Sequence, residues 1–444
     1  ARLPPSRKEI FLQGLVIVGV VIAAAGFAGQ WLIPQGKTLW WFIPVPHGQP
    51  VGCFINRNHF GGFVALLCPA ALALAARDFG QKRFGSAVVW AACFLVMTLA
   101  VVMSLSRGAW LACTAALLAV AILFLISRRP FMIAAIAALL ALVFWGVSRL
   151  PHEEIEDRAA TLAAPAASQT AQMRLSTWRD TLRIIPDYTF WGIGANAFRM
   201  VFPQYRTATT RKSFKHAENE YLQTPAELGL IGTALLLGLG LAAAGRWRQN
   251  HVRDLLSPVV EIGIAGALVA ASVHALCDFP IRIPLYFVVL ASLVGLVVSP
   301  PPAPRDPGDT IQPPSGCRWR SAPVAGLILA LLISLQGSKL YALDSSDFIQ
   351  KAGPDDLCRA LAWSPTSWQA WYHLGRAAVN RPDGTGAKLG EYCMTRATDY
   401  DPNNYPVWRE LSLVRLNLGD TEGAREAYAR LKDLRAWQRI DELE

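Results

Sequence analysis

RLSTW (174–178) and HAENEYL (216–222) close the two ends of one long polar stretch in a chain whose remaining length is mostly apolar. If 174–178 continues as a helix at 100° per residue, Leu175, Trp178, Leu182 and Ile185 form a single apolar stripe. Arg174 then lies roughly 60° from the centre of that stripe, with Arg179 and Arg183 on the opposite side, so Arg174 is the arginine expected to point inward. At the far end His216, Asn219 or Glu220, Gln223 and Glu227 recur at three- and four-residue spacing. That spacing makes a polar stripe on a helix running into the apolar segment that begins at Leu228. A polar stripe entering a membrane requires a partner or a role.

Composition agrees with a membrane setting. Of 444 residues, 53% are hydrophobic and 17% charged, and the apolar residues fall in long uninterrupted runs. The net charge of +10 comes mostly from Lys and Arg in short loops between those runs. Membrane topology therefore accounts for much of the excess, and a nucleic-acid partner is not expected. The eight cysteines show no paired spacing. Cys68, Cys93, Cys113 and Cys277 lie in apolar runs as small hydrophobes, and a bridge between Cys358 and Cys393 is the one pairing left open.

Working outward, the basic start ARLPPSRKEI precedes an apolar run over 11–32 that is too long for a signal-peptide core and has no small-residue cleavage site. It reads as a retained span entering from the cytoplasm, with Trp31, Trp40, Trp41 and Phe42 as an interfacial belt beyond it. Further spans are expected at 60–76, 87–103, 109–126 and 131–147, and after the polar stretch at 228–244, 259–276 and 285–298. A proline-rich linker over 300–323 leads to a last span ending near Tyr341, giving nine in all. Alternation places most basic loops on one side, the expected cytoplasmic side. It gathers Asn56–His59, Ser104–Arg107, 150–221 and Asp278–Arg282 on the other.

After Leu343 the composition changes to that of a helical module. ALAWSPTSWQAWYHL from Ala360 superposes on ATDYDPNNYPVWREL from Ala397 at an offset of 37, matching Pro365 with Pro402, Trp371 with Trp408 and Leu374 with Leu411. This is close to the 34-residue tetratricopeptide period, and an ordinary helical hairpin is the alternative. The chain thus divides into a membrane domain, 1–343, carrying a long polar loop at 150–221, and a module read as helical repeats, 344–444.

Several residues on the shared face are candidates for chemistry. Arg107, at the end of a span in SLSRGAW, either snorkels or joins Arg174 in binding phosphate oxygens, for which guanidinium is well shaped. His216 is either an interfacial hydrogen-bonding residue or an acid–base group. Asn56, Arg57, Asn58 and His59 form either a turn before a span or a donor-rich site for sugar or phosphate. Arg211, Lys215, Glu218, Asn219 and Tyr221 flank His216 and complete the substrate-binding set. Glu261 is expected to be solvated, His274 with Asp278 to be a local structural pair, and Gly192 with Gly194 a turn. No Walker motif, zinc signature or serine-nucleophile elbow occurs, so neither a metal nor another cofactor is expected.

SLSRGAW (104–110), RLSTW (174–178) followed by FWGIGANAF (190–198), and HAENEYLQTPAELGLIG (216–232) resemble the O-antigen ligase and polymerase superfamily of bacterial envelope glycosyltransferases, and NRNHFGGF (56–63) is also similar to its members. The resemblance implies an all-α polytopic bundle in the bacterial inner membrane. It implies metal-independent transfer of glycan from an undecaprenyl pyrophosphate-linked donor to an acceptor glycan, lipid or protein at the periplasmic face. By position, Arg107, Arg174 and His216 correspond to the catalytic span arginine, loop arginine and loop histidine, with His216 as general base. Superfamily members usually carry further spans upstream, which leaves open whether such spans precede this sequence. The appended module is closer to polymerase-like members with periplasmic extensions, where it would bind an acceptor or an envelope protein. Two other classes compete: a non-enzymatic membrane-anchored scaffold for envelope assembly, and a lipid-glycan flippase.

Overall fold

The computed structural model describes residues 5–32, 38–39, 43–44, 51–128, 131–147, 169–202, 205–207, 214–253, 256–299, 352–363, 365, 367–382, 384–402 and 404–440. Arg211, residues 150–168, Trp40, Trp41, Phe42, the 300–323 linker and the ninth apolar run lie outside them. The chain is an all-α polytopic membrane protein. Five described helices are long and apolar enough to cross a membrane, and three shorter apolar helices accompany them. In order these are α1 (Pro5–Leu32), α2 (Arg57–Gly80), α3 (Phe84–Met103), α4 (Arg107–Ile126), α5 (Phe131–Val147), then α6 (Gln169–Asp187) and the single turn α7 (Phe198–Val201) in the polar stretch, followed by α8 (Glu220–Val252), α9 (Pro258–His274) and α10 (Pro284–Val298). A two-residue antiparallel ribbon pairs Thr38 with Pro44 and Leu39 with Ile43.

The centre of the bundle is α2, which packs on α1, α3, α4 and α9. Its run of alanines and small residues lets neighbours approach closely, as membrane helix packing favours. A Cβ on Gly263 of α9 would stand 2.4 Å from that of Ala73, and one on Gly266 would stand 2.8 Å from Pro69 Cβ. This span is longer than the expected 60–76 at both ends. At its start Asn56 caps the helix, its side-chain oxygen accepting the Asn58 N–H at 2.9 Å. At its end Arg77 and Asp78 stay buried because Arg77 reaches Asp78 at 2.6 Å and Glu9 at 3.0 Å.

Glu261 corrects its expectation. It is buried, not solvated, and is paired with His251 Nδ1 near the end of α8, which supplies the partner a buried carboxylate needs.

Beyond the linker the module comprises α11 (Pro354–Trp363), α12 (Trp368–Val379), α13 (Ala387–Tyr400), α14 (Tyr405–Asn417) and α15 (Thr421–Ile440). Each helix packs on the next in sequence, and Tyr372, Met394, Val407 and Leu411 form a shared core. Trp371 Nε1 donates to Pro365 O at 2.8 Å, and Trp408 Nε1 donates to Pro402 O at the same 2.8 Å. The aligned residues therefore make the same contact one repeat apart. Cys358 and Cys393 are free thiols.

Candidate active site

The segments expected to share a face meet at one end of the bundle. Asn56–His59 opens α2 and Ser104–Arg107 joins α3 to α4. Glu220 opens α8, its N–H donating to Ala275 O at 2.9 Å, and Asp278–Arg282 links α9 to α10. The glycines of NRNHFGGF allow this closeness. A Cβ on Gly61 would lie 2.5 Å from Ser104 Oγ, and one on Gly62 would lie 2.2 Å from the His274 ring.

The polar stretch is spliced into α8. That helix breaks at Gly229, whose φ of 64° and ψ of −174° belong to a region open essentially to glycine alone. The loop 189–194 fills the break. Ile193 N–H donates to Ala226 O and Gly194 N–H to Glu227 O, both at 2.9 Å, while Leu230 N–H donates to Thr189 O at 2.8 Å and Ile231 N–H to Phe190 O at 3.3 Å. Backbone groups freed by the kink are thereby satisfied. The two main chains approach so closely that a Cβ on Gly192 would stand 2.3 Å from Glu227 O. Gly192 and Gly194 do form the expected turn, with positive φ, and docking against a broken span explains why glycine is needed there.

Helix α6 forms as expected, but the side facing the protein is different. Thr177, Asp180, Thr181 and Ile184 are buried, whereas Leu175 and Leu182 of the expected apolar stripe are exposed. Periodicity identifies an apolar stripe without distinguishing protein core from lipid, and here polar groups supply their own reason for burial. Asp180 accepts both the Thr207 N–H at 2.9 Å and its hydroxyl at 3.0 Å. Arg174 is half-buried beside this polar face, and its Nε donates to Glu218 Oε2 at 2.5 Å. Trp178 Nε1 donates to Ala217 O at 3.0 Å and ties the helix to the His216 turn.

His216 rests on Phe279, with ring centroids 4.0 Å apart, and the edge of His59 meets the same phenyl ring at 4.9 Å. Its Nδ1 lies 3.1 Å from Gln223 Nε2. Gln223 is held on both sides, since its oxygen accepts the Ala217 N–H at 2.9 Å and its nitrogen donates to Glu227 Oε1 at 2.8 Å. Glu227 Oε2 accepts Arg282 Nη1 at 2.9 Å and the Asn196 N–H at 3.0 Å, and Arg282 Nε reaches Glu220 at 3.1 Å. Burial first, and then the neighbouring Arg282, His59 and Lys215, push the His216 pKa down to about 3, so the ring is neutral at ordinary pH.

Asp278 anchors the floor of the site. His59 Nε2 lies 3.4 Å from its Oδ1 and His274 Nε2 lies 3.6 Å from its Oδ2. Burial raises its carboxyl, but His59, His274 and the Phe279 N–H outweigh burial and hold it below the usual carboxylate range. His274 and Asp278 are the expected pair, extended by His59. Next to them Cys277 is pushed up to about 11 by burial, and it feels both Arg174 and Arg107, together with Asp278 and Glu218. A Cβ on Gly108, the residue after Arg107, would stand 2.6 Å from Cys277 Sγ, so the start of α4 packs against this turn. Arg107 is the first residue of α4, in a turn where Ser106 Oγ accepts the Ala109 N–H at 3.3 Å and Trp110 Nε1 donates back to Val101 O at 3.0 Å.

The remaining expected residues divide between the site and its frame. His59 and Lys215 bear on His216, and Glu218 pairs with Arg174. Asn56 and Asn219 spend their side-chain oxygens on helix caps, Asn219 accepting from the N–H groups of Tyr221 and Leu222. Tyr221 turns to α9, its hydroxyl donating to Ser272 O at 3.0 Å. Arg57 and Asn58 stand in the first turn of α2. Gln223, Glu227, Phe279 and Arg282 were not among the candidates. Gln223 and Glu227 were visible in the polar stripe, and Arg282 in the segment placed on the same face. Among the described residues no group of three His, Cys, Asp or Glu is arranged to hold a metal ion.

A helical membrane bundle with two arginines and a neutral histidine at one end defines the class: a polytopic membrane protein with a polar site at one end of its bundle. Residues 92–237 match the family model described as O-antigen ligase. The match contains Arg107, Arg174, His216, Gly192 and Gly229. Over that part of the chain the protein is similar to O-antigen ligases, a likeness that suggests a role in glycan transfer or ligation. No curated protein matches the chain.

Proposed function

We propose that this protein transfers glycan from an undecaprenyl pyrophosphate-linked donor to a hydroxyl of an acceptor glycan, lipid or protein at the periplasmic face of the bacterial inner membrane. The observation that carries this reading is the meeting of three segments at the Cys277–Phe279 turn: His216 stacks on Phe279, Arg174 is bound to Glu218 two residues from His216, and a Cβ on Gly108, the residue after Arg107, would stand 2.6 Å from Cys277 Sγ. The acceptor oxygen bonds to the anomeric carbon as the bond from that carbon to the pyrophosphate oxygen breaks. Arg107 and Arg174 take up the charge of the departing pyrophosphate, where electrostatic preorganisation is most effective. As general base His216 accepts the proton of the acceptor hydroxyl at Nε2, a contribution of about 10²–10⁴-fold; this takes the tautomer with its hydrogen on Nδ1, so the contact of Nδ1 with Gln223 Nε2 at 3.1 Å is exchanged when substrate binds. Burial and surrounding positive charge both weaken this base, and the negative charge of a bound donor opposes the second of these effects. Donor binding thereby prepares His216 for the acceptor.

Buried charges in the described spans lie toward helix ends, at Lys8, Arg77, Asp78 and Glu261 on one side and Glu220 and Glu227 on the other. That distribution favours a site at one surface over the transverse polar path a flippase needs. The module, with its repeated Trp–Pro contact, is read as a tetratricopeptide-like platform for the acceptor or a partner protein. Purified full-length protein in lipid nanodiscs, supplied with lipid-linked glycan and acceptor, should form product, and His216→Ala, Arg107→Ala and Arg174→Ala should each abolish most of it. Undiminished transfer by these variants would remove the site assignment.

A further inference from the structure

We propose that the outward face of α6 and the loop after it lie on the bilayer surface, with Leu175, Leu182, Phe190 and Trp191 against lipid and Arg179 and Arg183 at the level of the lipid phosphates. The first observation is exposure. Leu175 is 56% exposed, Leu182 52%, Phe190 64% and Trp191 78%, a concentration of large apolar surface on one short part of the polar stretch. At 100° per residue Leu175, Leu182 and Pro186 occupy one flank of the exposed arc of α6 and Arg179 and Arg183 the other. A helix lying in a headgroup layer has this arrangement, with leucines dipping into the acyl boundary and cations meeting phosphate.

The second observation fixes depth. The apolar run of α8 extends from Leu228 to Ala244, bounded by Glu227 before it and Arg246 and Arg248 after it. At 1.5 Å per residue this covers about 25 Å, close to the hydrocarbon thickness of a bilayer, so the boundary falls within about one turn of the Gly229 break. Thr189 and Phe190 accept hydrogen bonds from Leu230 and Ile231 at that break. Phe190 and Trp191 are therefore tied at the boundary, and their exposed surface continues into that of Leu230, Ile231 and Leu235. Aromatic residues belong at this level. Charge supports the same occupant, since Arg179 and Arg183 face outward and Asp180, which lies 3.7 Å from Arg183, is buried. If the glycan-transfer reading holds, this seating also sets Arg174, on the other side of α6, near the depth of a donor's pyrophosphate.

The test uses full-length protein in nanodiscs of phosphatidylethanolamine and phosphatidylglycerol, with one bimane-labelled cysteine at Leu182, Trp191 or Leu237 in a background lacking native thiols. Lipids brominated near the headgroup should quench the probes at 182 and 191, lipids brominated near the chain end should quench the one at 237, and aqueous iodide should quench none of them strongly. Arg179→Glu with Arg183→Glu should reduce lipid quenching at 182. If the thiol-free background does not fold, Trp191→Phe in the native background should lose a lipid-quenchable part of the tryptophan emission. Probes at 182 and 191 that iodide quenches as readily as the free dye, or a Trp191→Phe protein with unchanged lipid quenching, would overturn the proposal. Unchanged quenching in the double glutamate variant would remove the arginines from it. None of these readings uses catalysis, so they stand or fall separately from the transfer activity.

Discussion

The imidazole of His216 lies over the phenyl ring of Phe279, with centroids 4.0 Å apart and planes inclined by 30°. The same phenyl ring meets His59, so one aromatic side chain sets the separation of two imidazoles. Phe279→Ala removes the platform without touching a charge. It should lower kcat by about 10²-fold, the scale expected when a reacting group is misplaced by about an ångström. Phe279→Tyr should retain most activity, and a steady-state comparison of the two variants checks the prediction.

With its pKa near 3, His216 is neutral in the free protein across the usual assay range. An acid limb in kcat/KM arising from His216 should therefore lie near pH 3, not near the ordinary histidine value of about 6.5. The linkage has a definite sign. Between about pH 6.5 and 3 an undocked His216 binds a proton that the docked one does not, so docking of the 214–219 turn weakens as pH falls through that window. His216→Gln should flatten that part of the dependence, as read by proteolytic cleavage in the turn at successive pH values.

Gly229→Ala and Gly192→Ala should each destabilise the site selectively. The backbone conformation at Gly229 costs a side-chain residue about 1–3 kcal/mol, and the added Cβ would meet Phe190 O at 2.2 Å. Neither backbone can shift without breaking the bonds between 189–194 and α8. Hydrogen exchange should show faster exchange at Ile193, Gly194, Leu230 and Ile231, with α2 and α3 unchanged.

Arg282 joins Glu220 and Glu227, both buried, and Glu227 in turn holds Gln223 against His216. Arg282→Ala leaves two carboxylates without their cation, a loss of about 3–5 kcal/mol for a buried pair broken from one side. Arg282→Lys should recover only part of this, because a single ammonium does not reproduce the forked contact to two carboxylates. Thermal unfolding in nanodiscs should rank wild type above Lys above Ala.

In the module, Trp371→Phe and Trp408→Phe each remove one indole donor to a proline carbonyl while keeping an aromatic ring. Each should cost about 1 kcal/mol, and the two losses should be similar. Denaturant unfolding of the full chain, followed by a probe in α14, checks both. A large cost at one site alone would mean that the two units are not equivalent.

Much of this architecture could be read from residue order, for reasons that differ by element. Apolar length placed α1 to α5 and α8 to α10, because a bilayer imposes a minimum run that few soluble helices reach. Spacing placed His216, Gln223 and Glu227 on one face, because three and four residues bring side chains together on any helix. The face of α6 was misread for a related reason. In a membrane protein Leu175 and Leu182 satisfy either lipid or core, whereas Asp180 can be buried because Thr207 meets it and Thr177 because its hydroxyl turns back to Met173 O. Pairings such as Arg282 with Glu227 depend on the path of the chain between them, which no local pattern contains. The burial of Glu261 depends likewise on where α8 ends and leaves His251.

The backbone bonds between the 189–194 loop and the break in α8 bear on how the site moves. Gly192 and Gly229 act as the two halves of a rivet, so the loop cannot swing independently of the span. Any rotation or tilt of the membrane half of α8, driven by bilayer thickness or by a neighbouring helix, would be delivered through Thr189 and Phe190 to α6 and Arg174. A change in the lipid around the protein thereby acquires a mechanical route to the arginine proposed to hold the pyrophosphate.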